Sequence, residues 1–465
     1  MNMINVRRLT VMTFLGAGML SSISAQISPL QVDTLKETKI PDQWDLQSCI
    51  DYAKEQNITI RKNRITAAST QIDVKTAKAA MFPSLSFSTS QQVVNRPYQE
   101  TSSRVSGSEI ISSNSKTSYN GNYGLNASWT LYNGNKRLKT IQQEKLNNQM
   151  AELDVATSEN NIQESIAQVY IQILYAAESV KVNENTLQVS IAQRDRGQEL
   201  LNAGSIAKSD LAQLEAQVST DRYQLVTAQA TLEDYKLQLK QLLELDGENE
   251  MNIYLPALSD ENVLAPLPTK KDVYIRALSL RPEIEASKLN VEASELGIGI
   301  AKSSYLPTIS LSAGIGTNHT SGSDFTFGEQ VKNGWNNSIG LSVSVPIFNN
   351  RQTKSAVQKA KLQYETSMLS LLDEQKTLYK TIEGLWLDAN SAQQRYAAAN
   401  EKLKSTQISY ELISEQFNLG MKNTIELLTE KNNLLQAQQE QLQAKYMAIL
   451  NMQLLKFYQG DQLAI

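Results

Sequence analysis

Two proline-free stretches that each reverse once at a glycine constrain this chain more than any other feature. "ELLNAGSIAKSDLAQL" at 199–214 and "EQFNLGMKNTIELL" at 415–428 both interrupt strongly helical sequence. Gly204 and Gly420 stand 216 residues apart, each six residues ahead of an acid, Asp210 and Glu426. Glycine ends a helix and lets the chain reverse because it enters the left-handed region without steric penalty. The segments "WTLYNGNKR" at 129–137 and "VPIFNNRQT" at 345–353 share the offset of 216, and "FPSLSFS" at 82–88 and "LPTISLS" at 306–312 lie 224 apart. The eight extra residues fall between Ser88 and Trp129, in a Ser/Gly-rich stretch read as a loop that absorbs them. A duplication in fixed order defines an architecture before any local element is assigned.

Each half reads as helix, strand, loop, strand, very long helix, glycine turn and helix. The first repeat, 44–245, carries a helix at 45–80, strands at 84–94 and 121–132, and helices at 135–200 and 207–245. The second, 271–457, carries a helix at 271–303, strands at 307–317 and 337–347, and helices at 351–417 and 423–457. Between them 246–270 holds three of the ten prolines and reads as an insert at the equator, and 458–465 is a tail. The glycine-terminated helices are each about 70 residues, or rods of roughly 100 Å at ~1.5 Å per residue. Ile162, Ile166, Val169 and Ile173 alternate at spacings of four and three, the seam of a coiled coil.

Residues 1–25 have the form of a secretory signal: Arg7 and Arg8, an apolar run, and small residues ending at Ala25. An N-terminal extension, 26–43, follows. No later run of roughly 18 apolar residues would make a membrane helix. One cysteine, Cys49, and one histidine, His319, give no disulfide and no soft metal-ligand set, and His319 reads as an extracellular loop residue. The formal charge of −4 gives no basic surface for nucleic acid. No nucleophile, base and acid cluster near any loop, so no catalytic, cofactor or metal site is expected.

In the strands the periodicity switches to two. Leu125, Ala127, Trp129 and Leu131 alternate with Asn126, Ser128 and Thr130; Ile309, Leu311, Ala313 and Ile315 alternate with Ser and Gly; Ile339, Leu341, Val343 and Val345 do the same. Strands of 9–11 residues match a tilted bilayer crossing, and Tyr119, Tyr123, Tyr132, Trp335 and Phe348 stand near their ends. Four strands cannot close, and open edges do not survive in lipid, so the barrel must be built from several chains, three of them supplying twelve strands. The apolar residues named would then face outer-membrane lipid.

In order, duplication and spacing, the "FPSL" and "LPTI" strand starts, the "LYNGNKR" and "IFNNRQT" strand-to-helix joints and the "NAGSIAKSDLAQLEA" and "NLGMKNTIELLTEKNNL" turns resemble the outer-membrane efflux protein family of TolC-like trimeric channels. The resemblance spans essentially the whole mature chain. It implies a mixed α and β fold: long antiparallel coiled-coil helices forming an α-barrel, and four transmembrane strands per chain in a homotrimeric twelve-stranded β-barrel. It also implies a collar near 246–270 and a closed periplasmic tip, opened by an inner-membrane pump and its periplasmic adaptor.

For the tip, the resemblance implies that Glu426 contributes to an acidic ring, with Thr429 at the second ring position, a departure from the family pattern. Asp210 and Lys422 match positions of an ionic aperture lock. Phe417 replaces a tyrosine of that network and cannot hydrogen-bond, so a looser lock is expected. Gly204 and Gly420 match the turns where adaptors dock. Independently, three copies of Glu426 near one axis would crowd like charges, raising their pKa values or recruiting cations.

The function expected is an outer-membrane exit duct of a tripartite efflux system, passing small molecules from pump and adaptor to the exterior. Type I protein secretion uses the same duct and is the alternative within that class. A trimeric coiled-coil structural or adhesion protein is the alternative outside it, and would bury the apolar strand face against protein.

Overall fold

The computed structural model describes residues 41–98, 102–106, 109–113, 116–246, 251–256, 263–321, 323 and 325–463. The signal at 1–25, most of the 26–43 extension, parts of the insert and the end of the tail lie outside the described residues. From Gln43 onward the chain clusters as one unit.

The first half begins with α1 (Leu46–Gln56) and α2 (Ile58–Ala79), then β1 (Ser84–Asn95), a hairpin of β2 (Ser102–Ser106) and β3 (Glu109–Ser113), and β4 (Thr117–Asn133). It closes with the 67-residue α3 (Lys136–Asn202) and α4 (Lys208–Leu242). The second half repeats the plan: α5 (Lys270–Leu280), α6 (Pro282–Ser303), β5 (Thr308–Thr320), α7 (Phe327–Asn333), β6 (Asn336–Ser344), the 67-residue α8 (Gln352–Asn418) and α9 (Thr424–Tyr458).

Several expectations need correction. The helix at 45–80 is two helices, because the buried Asn57 side chain accepts from the Thr59 amide at 2.9 Å and starts α2 afresh. The helix at 271–303 is also two, broken where Pro282 lacks an amide and opens α6. The loop expected between the first strands carries the β2–β3 hairpin. The second loop carries α7, whose Thr326 and Glu329 cap each other's amides. His319 is not in a loop. It sits in β5, buried among the rings of Tyr119, Tyr123 and Phe327.

The sheet order is β1-β4-β5-β6, antiparallel throughout. Below it, α2, α3, α6 and α8 lie side by side in that order. Thr70 bonds Asn148, Gln143 bonds the Ala293 carbonyl, and Ser294 bonds Ser367 across the successive gaps. In the lower tier the order is α4, α3, α9, α8. Only α3 and α8 run through both tiers. The others meet end to end: Asn57 Nδ2 donates to the Leu242 carbonyl at 3.0 Å, setting α2 on α4.

The largest core lies midway along the rods. There Trp44, Ile50, Tyr170, Ile173, Tyr396 and Ile449 pack together. The insert wraps this level through Trp44–Ile253 pairing, the Tyr170 hydroxyl on the Tyr254 carbonyl (2.7 Å) and Gln393 on the Val263 and Ala265 carbonyls. Cys49 is fully buried in the same core.

Candidate functional site

Cross-strand neighbours share a face of a sheet, so the register shows what each face carries. On one face Leu85–Ala127–Ala313–Ile339, Phe87–Leu125–Ile315 and Trp129–Leu311–Leu341 form continuous rows. A register shift between Thr130 and Tyr132 leaves Leu131 without a cross-strand partner, and Tyr132–Ile309–Val343 continues the pattern. Val345 lies just beyond the end of β6. Phe87, Ile339, Leu341 and Val343 remain exposed, so this chain does not bury the apolar face in a core of its own.

The opposite face is uncharged. Ser84–Ser128–Ser312–Gly340, Ser86–Asn126–Gly314–Ser338 and Ser88–Gly124–Gly316–Asn336 line it with small hydroxyls, amides and bare backbone. On the apolar face, aromatic residues mark two levels: Tyr119, Tyr123 and Phe327 around His319 at one end, Trp129 and Tyr132 at the other. Tyr119 and Tyr132 are about 40 Å apart along the strand at ~3.3 Å per residue. A strand tilt near 40° reduces that to about 30 Å, the thickness of a hydrocarbon core.

At the other end of the molecule lie the two turns. Gly204 and Gly420 both have φ +75, and a Cβ on either would meet nothing within 4 Å, so the conformation alone calls for glycine. The acids six residues on are helix-start residues. Asp210 Oδ2 accepts from the Ala207 amide at 3.0 Å. Glu426 Oε2 accepts from the Asn423 amide at 3.2 Å while Asn423 Oδ1 accepts from the Glu426 amide at 2.9 Å. The shared spacing is therefore a left-handed turn followed by an acid in the first helical turn.

Lys422 lies on the Glu426 carboxylate, Nζ to Oε1 2.6 Å, and not on Asp210. The two groups are one helical turn apart and pair locally, whereas Asp210 is occupied by its own helix start. That hydrogen bond from Lys422, with the Asn423 amide second, holds the Glu426 carboxyl below the ordinary carboxylate value of 4.5. Phe417 is buried against Leu214 and Leu427, so it joins the two hairpins by apolar contact where the tyrosine of the family pattern would use a hydroxyl.

Sequence reasoning missed two buried ionic groups. Lys431 pairs with Asp221 between the hairpins, and Arg281 pairs with Glu164 at 3.2 Å and Glu283 at 2.8 Å at the α5–α6 joint. The available signal was a charge on an apolar seam: Lys431 follows Leu427 and precedes Leu434 at spacings of four and three, and Asp221 follows Leu214 and Val218 in the same rhythm. Among the described residues no group of three or more His, Cys, Asp and Glu could hold a metal ion, and no helix is long and apolar enough to cross a membrane.

A sheet apolar on one face, neutral and polar on the other, banded by aromatics and prolonged by rods of ~100 Å, has the build of an outer-membrane strand set carried on a helical extension. The chain belongs to the outer membrane efflux protein family, whose family model matches residues 49–244 and 273–460. It is 24% identical over 290 residues to the outer membrane efflux protein BepC of Brucella suis biovar 1 (strain 1330), covering 62% of this chain and 60% of BepC. It is also 24% identical over 294 residues to the outer membrane protein TolC of Escherichia coli (strain K12), covering 61% and 58%. These alignments span about 60% of the length of either relative.

Among solved structures the fold matches CusC with a TM-score of 0.76 at 19% identity over 90% of this chain and 92% of CusC. It matches VceC from Vibrio cholerae with a TM-score of 0.73 at 16% identity over 90% and 97%. The sheet is accordingly the outer-membrane part and the helices the periplasmic part.

Proposed function

We propose that three copies of this chain close into one duct, a twelve-stranded barrel in the outer membrane continued by a helical barrel through the periplasm, which conducts small molecules delivered by an inner-membrane pump and its adaptor. The observation that carries the reading is that the open edges coincide at every level. The sheet ends in β1 and β6, the upper helix layer in α2 and α8, and the lower layer in α4 and α8.

Those edge helices expose apolar stripes. On α2, Ile58, Ile65 and Ile72 recur every seven residues, with Ile65 59% exposed. On α8, Leu362, Leu369, Leu372 and Tyr379 recur at seven, three and seven, with Leu369 67% exposed. Lower down, Tyr223 and Val226 of α4 face outward, as do Ile408 and Leu412 of α8. Heptad stripes on two different edges suit a head-to-tail contact that closes by rotation. Each copy would add β1, α2 and α4 to the β6 and α8 edge of the next, satisfying the strand edges that lipid cannot tolerate.

In the duct so built the small-residue face lines the lumen and Leu125, Trp129, Ile309, Leu311, Leu341 and Val343 face lipid. The turns at Gly204 and Gly420 gather at the periplasmic mouth, where the adaptor docks, and Glu426 rings the aperture. Phe417 belongs to the joint between the two hairpins just above that mouth. Asp210 and Lys422 hold the tip through their own helix starts, since within one chain they do not touch.

The test is assembly with conduction. Detergent-purified protein should cross-link to a trimer and give discrete channels in planar bilayers. Leu369→Asp should yield monomers without channels, and a trimer that persists in that variant would contradict the edge-to-edge assembly.

A further inference from the structure

β6 is shorter than the strand it pairs with, and α7 occupies the space this leaves. The pairing begins at Asn336 opposite Gly316, while β5 runs on to Thr320. Along that stretch α7 is fastened at several points. Thr317 Oγ1 donates to the Val331 carbonyl at 2.7 Å, and the Thr320 amide donates to Gln330 Oε1 at 2.8 Å, whose Nε2 donates to the Phe325 carbonyl at 2.9 Å. Beneath the helix the His319 ring lies over Gly121, where a Cβ would collide with it, and meets Phe327 edge-on at 5.1 Å. With its own capping box, α7 is a preformed element seated on the sheet.

The side on which it rests decides what it can touch. Thr317 and His319 stand opposite Tyr123 and Gly121, and continue the alternation that puts Ile315 and Leu125 on the apolar face. α7 therefore lies on the lipid side of the barrel wall and not over its lumen. It also lies at the aromatic level farthest from the rods, the outer limit of the ~30 Å apolar band. There Phe325 is 52%, Phe327 45% and Trp335 57% exposed, with Glu329 and Lys332 exposed beside them.

Three large rings left open on so short a segment mark an interaction surface. Rings next to charged groups suit the layer where acyl chains meet headgroups. Tryptophan buries its ring there while its N–H stays hydrated, and a lysine stem lies along the apolar surface with its ammonium among the headgroups. The surface is continuous with the lipid-facing rows, since Phe327 and His319 adjoin Tyr123 and the next residues on that face are Leu125 and Ile315.

We propose that α7 is an interfacial anchor, lying in the headgroup layer of the outer leaflet with Phe325, Phe327 and Trp335 at the acyl boundary, so that three copies around a trimer fix the depth of the barrel. The inference rests on the outer-membrane placement of the sheet and not on conduction.

The test is depth-dependent fluorescence quenching. The full chain is reconstituted into phosphatidylcholine vesicles that carry a quencher either near the headgroup or at the end of the acyl chain. Emission from Trp335 is the difference between wild type and Trp335→Phe, and emission from Trp129, which reports on the sheet itself, is read in the same way with Trp129→Phe. Trp44 and Trp386 lie in the helical tiers and cancel in both differences. Trp335 should be quenched about twofold more by the shallow quencher than by the deep one. If Trp129 is quenched and Trp335 is not, or if the deep quencher acts more strongly on Trp335, the anchor is overturned and the membrane placement stands. If neither is quenched, both fall. A second arm tests the neighbouring copy as occupant: Phe325→Ser combined with Trp335→Ser should still cross-link to a trimer and, with α7 outside the lumen, keep the wild-type single-channel conductance. Dissociation into monomers would place α7 against the next copy and overturn the lipid assignment.

Discussion

Replacing Arg281 by Met tests how the upper and lower tiers are joined. The guanidinium is 6% exposed and bonds Glu164 at 3.2 Å and Glu283 at 2.8 Å, both carboxylates being about four-fifths buried. It also lies 4.2 Å from the Tyr458 ring centre, a cation–π contact. Met fills the space but leaves two carboxylates uncompensated, a loss of about 3–5 kcal/mol for a broken buried pair. The sign of the pH dependence follows from Glu164. Burial already raises its pKa above 4.5 and Arg281 opposes that rise, so without Arg281 it rises further. A carboxyl with a raised folded pKa binds more protons folded than unfolded, so stability falls as pH climbs through the ordinary carboxylate range and above. The deficit of Arg281→Met should therefore be largest near neutrality and shrink towards about pH 5. Denaturant titration of the detergent-solubilised protein, followed by far-ultraviolet circular dichroism, reads it, and adding Glu164→Gln to Arg281→Met should recover part of the loss. A deficit below about 1 kcal/mol, the worth of a surface pair, or one independent of pH, would refute the reasoning.

At the tip, Glu426→Ala should abolish divalent-cation block of the channel and Lys422→Ala should strengthen it by freeing the carboxylate. Because Lys422 holds the Glu426 carboxyl low, block should persist as pH falls to the ordinary 4.5 and fade only below it, as titration of single-channel currents would show. In the sheet, Ile339→Arg and Ser338→Arg are adjacent residues on opposite faces. The first should lower barrel stability by about 2–4 kcal/mol near the bilayer midplane, and the second should assemble normally but shift the reversal potential towards anions. Gly204→Ala and Gly420→Ala should each cost about 1–2 kcal/mol in thermal or denaturant unfolding, since the added methyl meets no neighbour and only the left-handed backbone opposes it.

The long elements were legible because their signals are repetitive. The strands and the four hairpin helices lie within a few residues of the spans read from alternation, heptads and the glycine turns. What escaped reading depends on contacts made across the chain. Asn57 splits a helix by bonding a carbonyl 185 residues away, and the bulge after Thr130 shifts a row that simple alternation would carry through Leu131. The hairpin in the first loop has too short a pattern to stand out from a Ser-rich sequence. At the tip, family positions suggested Asp210 with Lys422, but Lys422, in the turn just ahead of α9, pairs first with Glu426 in that helix's opening turn. Lys431 and Asp221 were visible as charges on an apolar seam, and only the packing of three helices shows that they meet.

The end-to-end joints impose an order on how the chain can fold. Synthesis delivers α2 early, yet the carbonyl that completes its joint belongs to Leu242, and the Tyr458 hydroxyl that reaches Glu164 at 3.5 Å belongs to the last turn of the last helix, 294 residues later. Hairpins can form locally as they emerge, but neither tier is finished until distant partners arrive, and contacts of such separation close slowly. A nascent chain halted inside α9 would hold a finished first hairpin beside an unfinished second one, with Arg281 and Glu164 lacking the cover of Tyr458. Completion is thus registered in the last turn of α9, which makes that turn a checkpoint on the joint between the two tiers.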